Sequence, residues 1–223
     1  MKRILILLPL FALLTACGTD QNRRVELNQD AGQILPVSAL AIDLHEQGYI
    51  MTVESIRQDS LNGDAAPAYF SVAGETFDGL FTLADELLAS RLYLSHTQVI
   101  VVSASVAGGA LPALVDSLLA RPDARLTLRI AVARGAAPDE ILRADAVVEG
   151  IPGVALASLL DQRASDGTLA DCPLFRLIDR QTGGHPFSLP ALRLDSDGHA
   201  APAGSVTMEN GVLTFPSGGE RHA

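Results

Sequence analysis

Hydrophobic and polar residues alternate in several segments between Val37 and Ala73. The runs Val37–Leu44 and Tyr49–Ile56 suit strands, and a short polar gap that ends in Gly48 separates them. Two such runs across a short gap predict a β-hairpin. A loop rich in Gly, Asp, Ala and Pro follows over Gln58–Pro67, after which Ala68–Ala73 alternates again and predicts a third strand.

The period then changes to that of a helix. Apolar residues recur at helical spacing over Thr76–Arg91, and Thr76 is suited to cap the N-terminus of this helix. Apolar residues at helical spacing also predict a second helix over Leu111–Leu119, with a turn at Gly108-Gly109 before it and Pro122 after it. Three further helices are predicted over residues 138–144, 150–163 and 171–179.

Extended segments separate these helices. Gln98–Ser103 is a continuous β-branched run, which is typical of a central strand buried on both faces. Leu126–Ala133 alternates, and Phe187–Leu194 is extended but broken by Pro190. Asn210-Gly211 lies between two more alternating runs, a pattern that predicts a β-hairpin at the C-terminal side.

The order of these elements indicates the fold class. Strands that alternate with helices predict an α/β fold with an α+β tendency, in which a mixed β-sheet is flanked by helices and followed by a C-terminal β-hairpin. Hairpin signals at both ends of the sequence argue against a strictly parallel sheet.

The N-terminal residues predict secretion and attachment to a membrane. Lys2-Arg3 is followed by an apolar run and by Leu14-Thr15-Ala16-Cys17, so residues 1–16 read as a lipoprotein signal peptide and Cys17 as the lipidated residue. The apolar run is too short to span a bilayer, which takes ~20 residues. The alternative is an ordinary signal peptide with a chance cysteine. Residues 17–36 are predicted to form a polar membrane tether, and residues 37–223 the folded domain.

Charge excludes some partners. Without the signal peptide the chain has 14 basic and 26 acidic residues. A protein this acidic is poorly suited to nucleic acid, and its net charge argues against electrostatic adhesion to anionic lipid. The acyl chains on Cys17, palmitate among them, would therefore supply the membrane affinity. The absence of tryptophan argues against a surface on which sugars or bases stack.

The residues offer little catalytic chemistry. Once Cys17 is acylated only Cys172 remains, so no intramolecular disulfide is possible, and Cys172 is predicted to be a small buried residue. Nucleotide-binding, hydrolase and zinc motifs are all missing from the sequence. Asp161, Asp166 and Asp171 are interpreted as caps and solvated side chains, because a calcium loop needs tighter spacing. We therefore expect no catalytic, cofactor-binding or metal-binding residues, and no enzyme.

His96 is the histidine that merits weighing. It lies between a predicted helix and a predicted buried strand, where it could act as a ligand or a base. The interpretation we favour is that it caps the junction through hydrogen bonds to the backbone, since the sequence names no partner for it.

Several blocks of sequence resemble a known family, in order and over nearly all of the chain beyond the signal peptide. They are residues 24–28, 40–43, 91–102, 121–126, 131–135, 188–192 and 204–206, with the lipobox before them and the hairpin after them. Together they resemble the N-terminal half of the Ger(x)C family of spore germination lipoproteins. Two departures are that Gly18-Thr19-Asp20 follows the cysteine where the family usually has Trp-Asp, and that the sequence stops where family members continue.

The resemblance implies a function. A Ger(x)C protein is a non-enzymatic C subunit of a nutrient germinant receptor, anchored on the extracytoplasmic face of the spore inner membrane. Its partners are two polytopic membrane subunits that respond to small nutrients. The resemblance assigns no germinant to this chain. Acylation would bring such partners together in the plane of the membrane at a raised effective concentration.

Two other functions stay open at this point. The first is a free-standing lipid-anchored protein that binds a small solute or a cell-wall fragment, which predicts a pocket between the sheet and the helices. The second is a secreted enzyme, in which His96 would have to meet carboxylates in the folded chain.

Overall fold

The computed structural model describes residues 34–58, 65–88, 90–144 and 150–215. The predicted signal peptide, Cys17 and His222 lie outside these residues. Of the predicted tether, only its last three positions are described, and they belong to the first strand. The described residues from Leu35 onward form one compact unit. Within the described ranges, no helix is both long and apolar enough to cross a membrane.

The described residues contain nine strands that belong to one mixed sheet, ordered β3-β2-β1-β5-β6-β7-β8-β9, with β4 paired to β1 outside this path. The strands are β1 (Ile34–His45), β2 (Gly48–Gln58), β3 (Ala65–Gly74), β4 (Arg91–Tyr93), β5 (Val99–Val102), β6 (Arg129–Ala133), β7 (Phe187–Leu194), β8 (Ala200–Glu209) and β9 (Val212–Thr214).

The centre of this sheet is parallel and both of its edges are antiparallel. Strands β1, β5, β6 and β7 run in one direction, with Val99 in register with Ala39 on one side and with Arg129 on the other. Hairpins β1–β2–β3 and β7–β8–β9 add the antiparallel edges. All four residues of β5 are buried, as expected for a central strand covered on both faces. The predicted mixed sheet and the predicted C-terminal hairpin are confirmed.

Helices cover both faces of the sheet. They are α1 (Phe77–Leu88), α2 (Ala104–Gly109), α3 (Leu111–Leu119), α4 (Pro138–Arg143), α5 (Pro152–Ser165) and α6 (Leu174–Thr182), and a 3₁₀ turn spans Leu94–His96. Helices α1, α2, α3 and α6 contribute to the larger apolar core on one face. Helices α4 and α5 contribute to the smaller core on the other face.

Local signals decide several element boundaries. Thr76 accepts a hydrogen bond from the Gly79 N–H, which confirms it as the N-cap of α1. Helix α1 ends at Leu88 rather than at the predicted Arg91, because Arg91–Tyr93 pairs with β1 instead. At the C-terminal hairpin, Asn210 and Gly211 both have positive φ, as a tight turn between two strands requires.

Three predictions about local structure were wrong. Gly108-Gly109 is not a turn: it forms the end of α2, a helix that the sequence did not indicate and that begins where the Ser103 hydroxyl accepts from the Val106 N–H. Pro190 does not break β7, since the strand continues through a shift in register between Pro190 and Leu192. Residues 126–128 are not strand, because β6 begins at Arg129.

A buried carboxylate joins the antiparallel edge of the sheet to a helix. The side chain of Glu54 in β2 is fully buried. Its Oε1 accepts hydrogen bonds from the Ser38 hydroxyl at 2.6 Å and from the Gly153 N–H at 2.9 Å. Its Oε2 accepts from the Tyr69 hydroxyl at 2.7 Å. Strands β1, β2 and β3 and helix α5 therefore meet at this one side chain.

The glycine in this network leaves no room for a side chain. The N–H of Gly153 belongs to the first turn of α5, where backbone donors lack acceptors inside the helix, so the Glu54 carboxylate satisfies it. A Cβ atom at Gly153 would lie 2.5 Å from both the Ala39 Cβ and the Glu54 Oε1. Helix α5 therefore sits as close to the sheet as a bare backbone allows.

We predict that Gly153→Ala lowers the free energy of unfolding by about 1–3 kcal/mol, since the added methyl group overpacks this contact. Urea denaturation of the purified variant measures the change. Gly109→Ala is the matched control, because a Cβ there meets nothing within 4 Å. In a helix this control should leave stability unchanged or raise it by up to about 1 kcal/mol. Equal effects of the two substitutions would contradict the role given to Gly153.

Candidate functional site

Side chains from two other segments hold residues 91–97 in place. The Asp85 carboxylate of α1 accepts a hydrogen bond from the Leu92 N–H at 2.7 Å. The Arg121 guanidinium donates to the Leu92 carbonyl oxygen at 2.8 Å. Its cationic carbon also lies 4.7 Å from the centre of the Phe81 ring, within cation–π range. Both the N–H and the carbonyl oxygen of Leu92 are thus hydrogen-bonded to side chains of other segments.

Asp123 fixes the next turn of the same segment. Its Oδ2 accepts a hydrogen bond from the Leu94 N–H at 2.8 Å, and its Oδ1 lies 3.4 Å from the Arg121 Nε. The Arg121 and Asp123 side chains are only 13% and 9% exposed, so this ion pair is largely shielded from water. Downstream, the Thr97 hydroxyl donates to the Val37 carbonyl oxygen at 3.0 Å. The segment therefore has little freedom to move relative to the sheet.

This fixed segment presents two aromatic side chains on the surface. Tyr93 and His96 are exposed, and their ring centres lie 6.0 Å apart in an edge-on arrangement. We expected His96 to cap the junction through backbone hydrogen bonds. In the structure its described contact is the Tyr93 ring. The potential metal-binding group found among the described residues does not include His96. His96 is therefore a surface residue, held where a binding partner could reach it.

The structure brings together two sequence blocks that carry the family resemblance. Residues 91–102 and 121–126 are separated by two helices in the sequence, and they touch through Arg121 and Asp123. Sequence reasoning assigned no role to these two residues. Their signal is an Arg-Pro-Asp run directly after a helix, and its meaning becomes clear once β4 lies beside it.

A groove of about 620 Å³ runs beside α3 on the larger core face. Helices α2, α3 and α6 form its walls with the start of β7 and the β8–β9 hairpin. Apolar residues are prominent in its lining, including Val115, Ile178 and Met208, and charged side chains such as Asp116 and Arg180 also contribute. Its volume is within the range of small-molecule sites, so the predicted pocket between sheet and helices has a structural counterpart.

A turn between β7 and β8 resembles a cation site but is explained by its own hydrogen bonds. Ligand atoms of Asp195, Asp197 and His199 lie within 4.8 Å of one another. The Asp195 Oδ1 already accepts hydrogen bonds from the His199 and Asp197 N–H groups, both at 2.9 Å. These bonds, that from His199 above all, hold the pKa of Asp195 below its usual value. The carboxylate therefore serves to shape the turn.

The other acidic candidates have structural partners. Asp161 and Asp171 both form ion pairs with Arg129, at 2.6 and 3.3 Å. Asp166 follows the end of α5, where hydrogen bonds from Thr168 lower its pKa and Arg163 lies 3.2 Å away. These contacts agree with the interpretation of the three residues as caps and surface side chains. The exposed His45 and His185 lie in loops or at strand ends.

Cys172 is buried and free, as predicted. Burial raises the pKa of its thiol to about 11. Because the thiolate is the reactive form, this residue is poorly suited to nucleophilic or metal chemistry. Cys17, the predicted lipidation residue, lies outside the described part of the chain, so its acylation stays a prediction.

We predict that Asp123→Ala lowers the free energy of unfolding by about 1–3 kcal/mol, because it leaves the Leu94 N–H without its acceptor and the shielded Arg121 charge without its carboxylate partner. Chemical denaturation provides the measurement. The control is Asp139→Ala, which removes an exposed ion pair with Arg143 at 3.8 Å and should cost less than about 1 kcal/mol. A cost for Asp123→Ala as small as that of the control would show that residues 91–97 do not depend on this pair.

We also predict a pH dependence from Cys172. The folded chain holds the thiol proton more tightly than the unfolded chain, so the residue contributes its full stabilisation below its usual pKa of 9.0 and loses it as the pH rises through about 11. The loss should be about 1–3 kcal/mol. Unfolding curves of a Cys17→Ser chain with and without Cys172→Ala measure it. The stability of the two chains should converge or cross in this range, and parallel pH profiles would contradict the prediction.

The comparisons with known proteins agree with the sequence blocks. A family model described as the spore germination protein N-terminal domain matches residues 29–194, which is most of the chain. The match covers β1 to β7 and includes residues 91–97 with their partners Asp85, Arg121 and Asp123. No curated protein and no solved structure matches the chain significantly. The chain belongs to the family of spore germination protein N-terminal domains, as its resemblance to the N-terminal region of the Ger(x)C proteins indicated, and its role is in spore germination.

Proposed function

We propose that this chain is a non-enzymatic, lipid-anchored subunit of a spore nutrient germinant receptor, which acts with two polytopic membrane partners. The observation that carries the proposal is the match of the germination family to residues 29–194. The Leu-Thr-Ala-Cys sequence ending at Cys17 supports the anchor, because it places a cysteine directly after a signal peptide pattern. We propose the extracytoplasmic face of the spore inner membrane as its location, which is consistent with both observations.

The described domain suits a protein that works by contact. Its two apolar cores pack helices on both faces of the sheet, and residues 91–97 present Tyr93 and His96 from a backbone that is hydrogen-bonded by side chains. A rigid, exposed aromatic pair loses little conformational entropy when a partner covers it. With the partner in the same membrane, an acyl anchor converts a weak surface contact into a stable association.

A second function is favoured by one observation. The groove beside α3 has the volume of many small-molecule sites, and its lining combines apolar side chains with polar ones such as Asp116, Arg180 and His185. We therefore keep as an alternative a free-standing anchored protein that binds a solute or a cell-wall fragment. The two functions differ in whether the chain needs membrane partners.

We predict that spores without this gene lose the response to at least one nutrient. Release of small molecules from the spore core measures germination. Add-back of the unchanged chain should restore the response, whereas Cys17→Ala should not, because an unacylated chain is no longer concentrated at the membrane. Cys172→Ala is the matched cysteine control and should restore it.

The other outcomes separate the two functions. If every tested nutrient triggers germination of the deletion spores at the normal rate, the receptor role is contradicted. If the response is lost but Cys17→Ala restores it fully, the lipid anchor is contradicted while a role in germination stands. Copurification of the acylated chain with two multi-span proteins would support the receptor over the free-standing binder.

A further inference from the structure

The start of the central strands forms a defined end of the domain. Strands β1, β5 and β6 are parallel neighbours, so their first residues lie at one edge of the sheet. We call this edge the tether end, because the chain from Cys17 enters β1 here. Five segments form it: the start of β1, the end of α1, residues 91–98, residues 121–129 and the start of α6. The start of α6 belongs here because its backbone N–H groups donate to the carbonyl oxygens of residues 126 and 128.

The tether end exposes large apolar side chains. Leu87 is 64% exposed, Leu126 50%, Phe175 49% and Tyr93 36%. The backbone N–H of Phe175 donates to the carbonyl oxygen of Leu126, so these two residues are adjacent. Leu44 at the close of β1 and Val212 in β9 are exposed too, so the signal at the tether end is that several such side chains share one edge of the sheet. Groups of exposed apolar residues mark surfaces that meet another apolar phase. Tyrosine is enriched where a membrane meets water, since its ring has an apolar body and a polar tip.

Basic side chains accompany these apolar residues. Arg91 and Arg125 are exposed, and neither forms an ion pair within the described residues. Among the nearby carboxylates, Asp123 and Asp171 form ion pairs with arginines, while Asp85 accepts a backbone hydrogen bond and keeps its charge. Glu86 is exposed and forms no ion pair within the described residues.

The far end of the sheet is acidic, whereas the charges of the tether end nearly balance. At the close of β1, β6 and β7, and where β3 leads into α1, carboxylates outnumber arginines. The carboxylates are Asp43, Glu46, Glu75, Asp78, Asp139, Glu140, Asp195 and Asp197, against Arg134, Arg143 and Arg193, of which Arg143 pairs with Asp139. The net negative charge, which argued against adhesion to anionic lipid, is therefore unevenly distributed. An anionic surface would repel the acidic end more strongly than the tether end, where the exposed Arg91 and Arg125 are free to meet it.

We propose that the tether end is a lipid-contacting surface that rests on an anionic bilayer, with Arg91 and Arg125 near the phosphates and Tyr93, Leu126 and Phe175 at the interface. The proposal rests on the anchoring at Cys17 put forward above, since a tethered domain meets the membrane repeatedly and a weak contact then suffices. Its consequence is a fixed orientation, in which the acidic end points away from the membrane.

The absence of tryptophan makes this orientation measurable, because one introduced tryptophan is a unique fluorescent probe. Tyr93→Trp places it at the tether end. His45→Trp places it at the last residue of β1, a 12-residue strand whose two ends lie about 36 Å apart. Mature chain, residues 17–223, is coupled through the Cys17 thiol to a maleimide lipid in phosphatidylcholine–phosphatidylglycerol vesicles. Buried Cys172 has a raised pKa, so it should not compete for the maleimide.

Phospholipids with brominated acyl chains quench a tryptophan that touches the bilayer. We expect Tyr93→Trp to be quenched at least threefold more strongly than His45→Trp. Arg91→Glu combined with Arg125→Glu should remove at least half of that difference, whereas Arg134→Glu with Arg193→Glu, the same charge change at the far end, should not. About 0.5 M salt should also weaken the quenching, because it screens attraction to the phosphates.

Equal quenching of the two probes, or quenching of neither, would overturn the proposal. The second of these results would instead favour a protein partner as the occupant of the tether end. Because the coupling is chemical, the result does not depend on whether the cell acylates Cys17. The quenching experiment therefore tests the orientation on the bilayer, and the spore experiment separately tests the receptor function.

Discussion

The burial of the Glu54 carboxylate is the constraint on which the rest of the architecture depends. A charge removed from water is tolerated only when its hydrogen bonds are replaced, and here Ser38, Tyr69 and Gly153 supply them. These donors lie on β1, β3 and α5, so the strands and the helix must all be in place before the carboxylate is satisfied. Once they are, the edge hairpin cannot shift in register without leaving that charge unpaired.

The part of the fold that the sequence predicts is the part decided by neighbouring residues. Asn210-Gly211 and the buried run Val99–Val102 are signals of this kind, and both were interpreted correctly. Glu54 is different, because its partners are 15, 16 and 99 residues away and nothing in its own strand distinguishes it from an exposed glutamate. Gly108-Gly109 was misread for a related reason: the Ser103 cap and the packing of α2 outweigh the low helix propensity of glycine.

Parallel pairing explains why sequence blocks far apart in the chain form one surface. Each strand of the β1–β5–β6 set is entered from the same end, so the segments that lead into β5 and β6 must lie side by side. Arg121 and Asp123 use this proximity to fix the backbone of residues 91–97. The sequence showed both blocks, but their contact depends on the order of strands in the sheet, which no local pattern specifies.

The same topology collects carboxylates at one end of the central strands, and this uneven charge affects which end can approach an anionic surface. Net charge describes the whole chain, whereas a surface some tens of ångströms across responds to the nearest end, since the Debye length is about 8 Å at physiological ionic strength. If the tether end rests on lipid, the helix layers on the two faces of the sheet stand upright from the membrane. The α1, α3 and α6 layer, with the groove beside α3, would then face sideways toward proteins in the same bilayer. A receptor subunit and a solute-binding protein would thus use the same orientation. They would differ only in whether that lateral face binds a membrane protein or a small molecule.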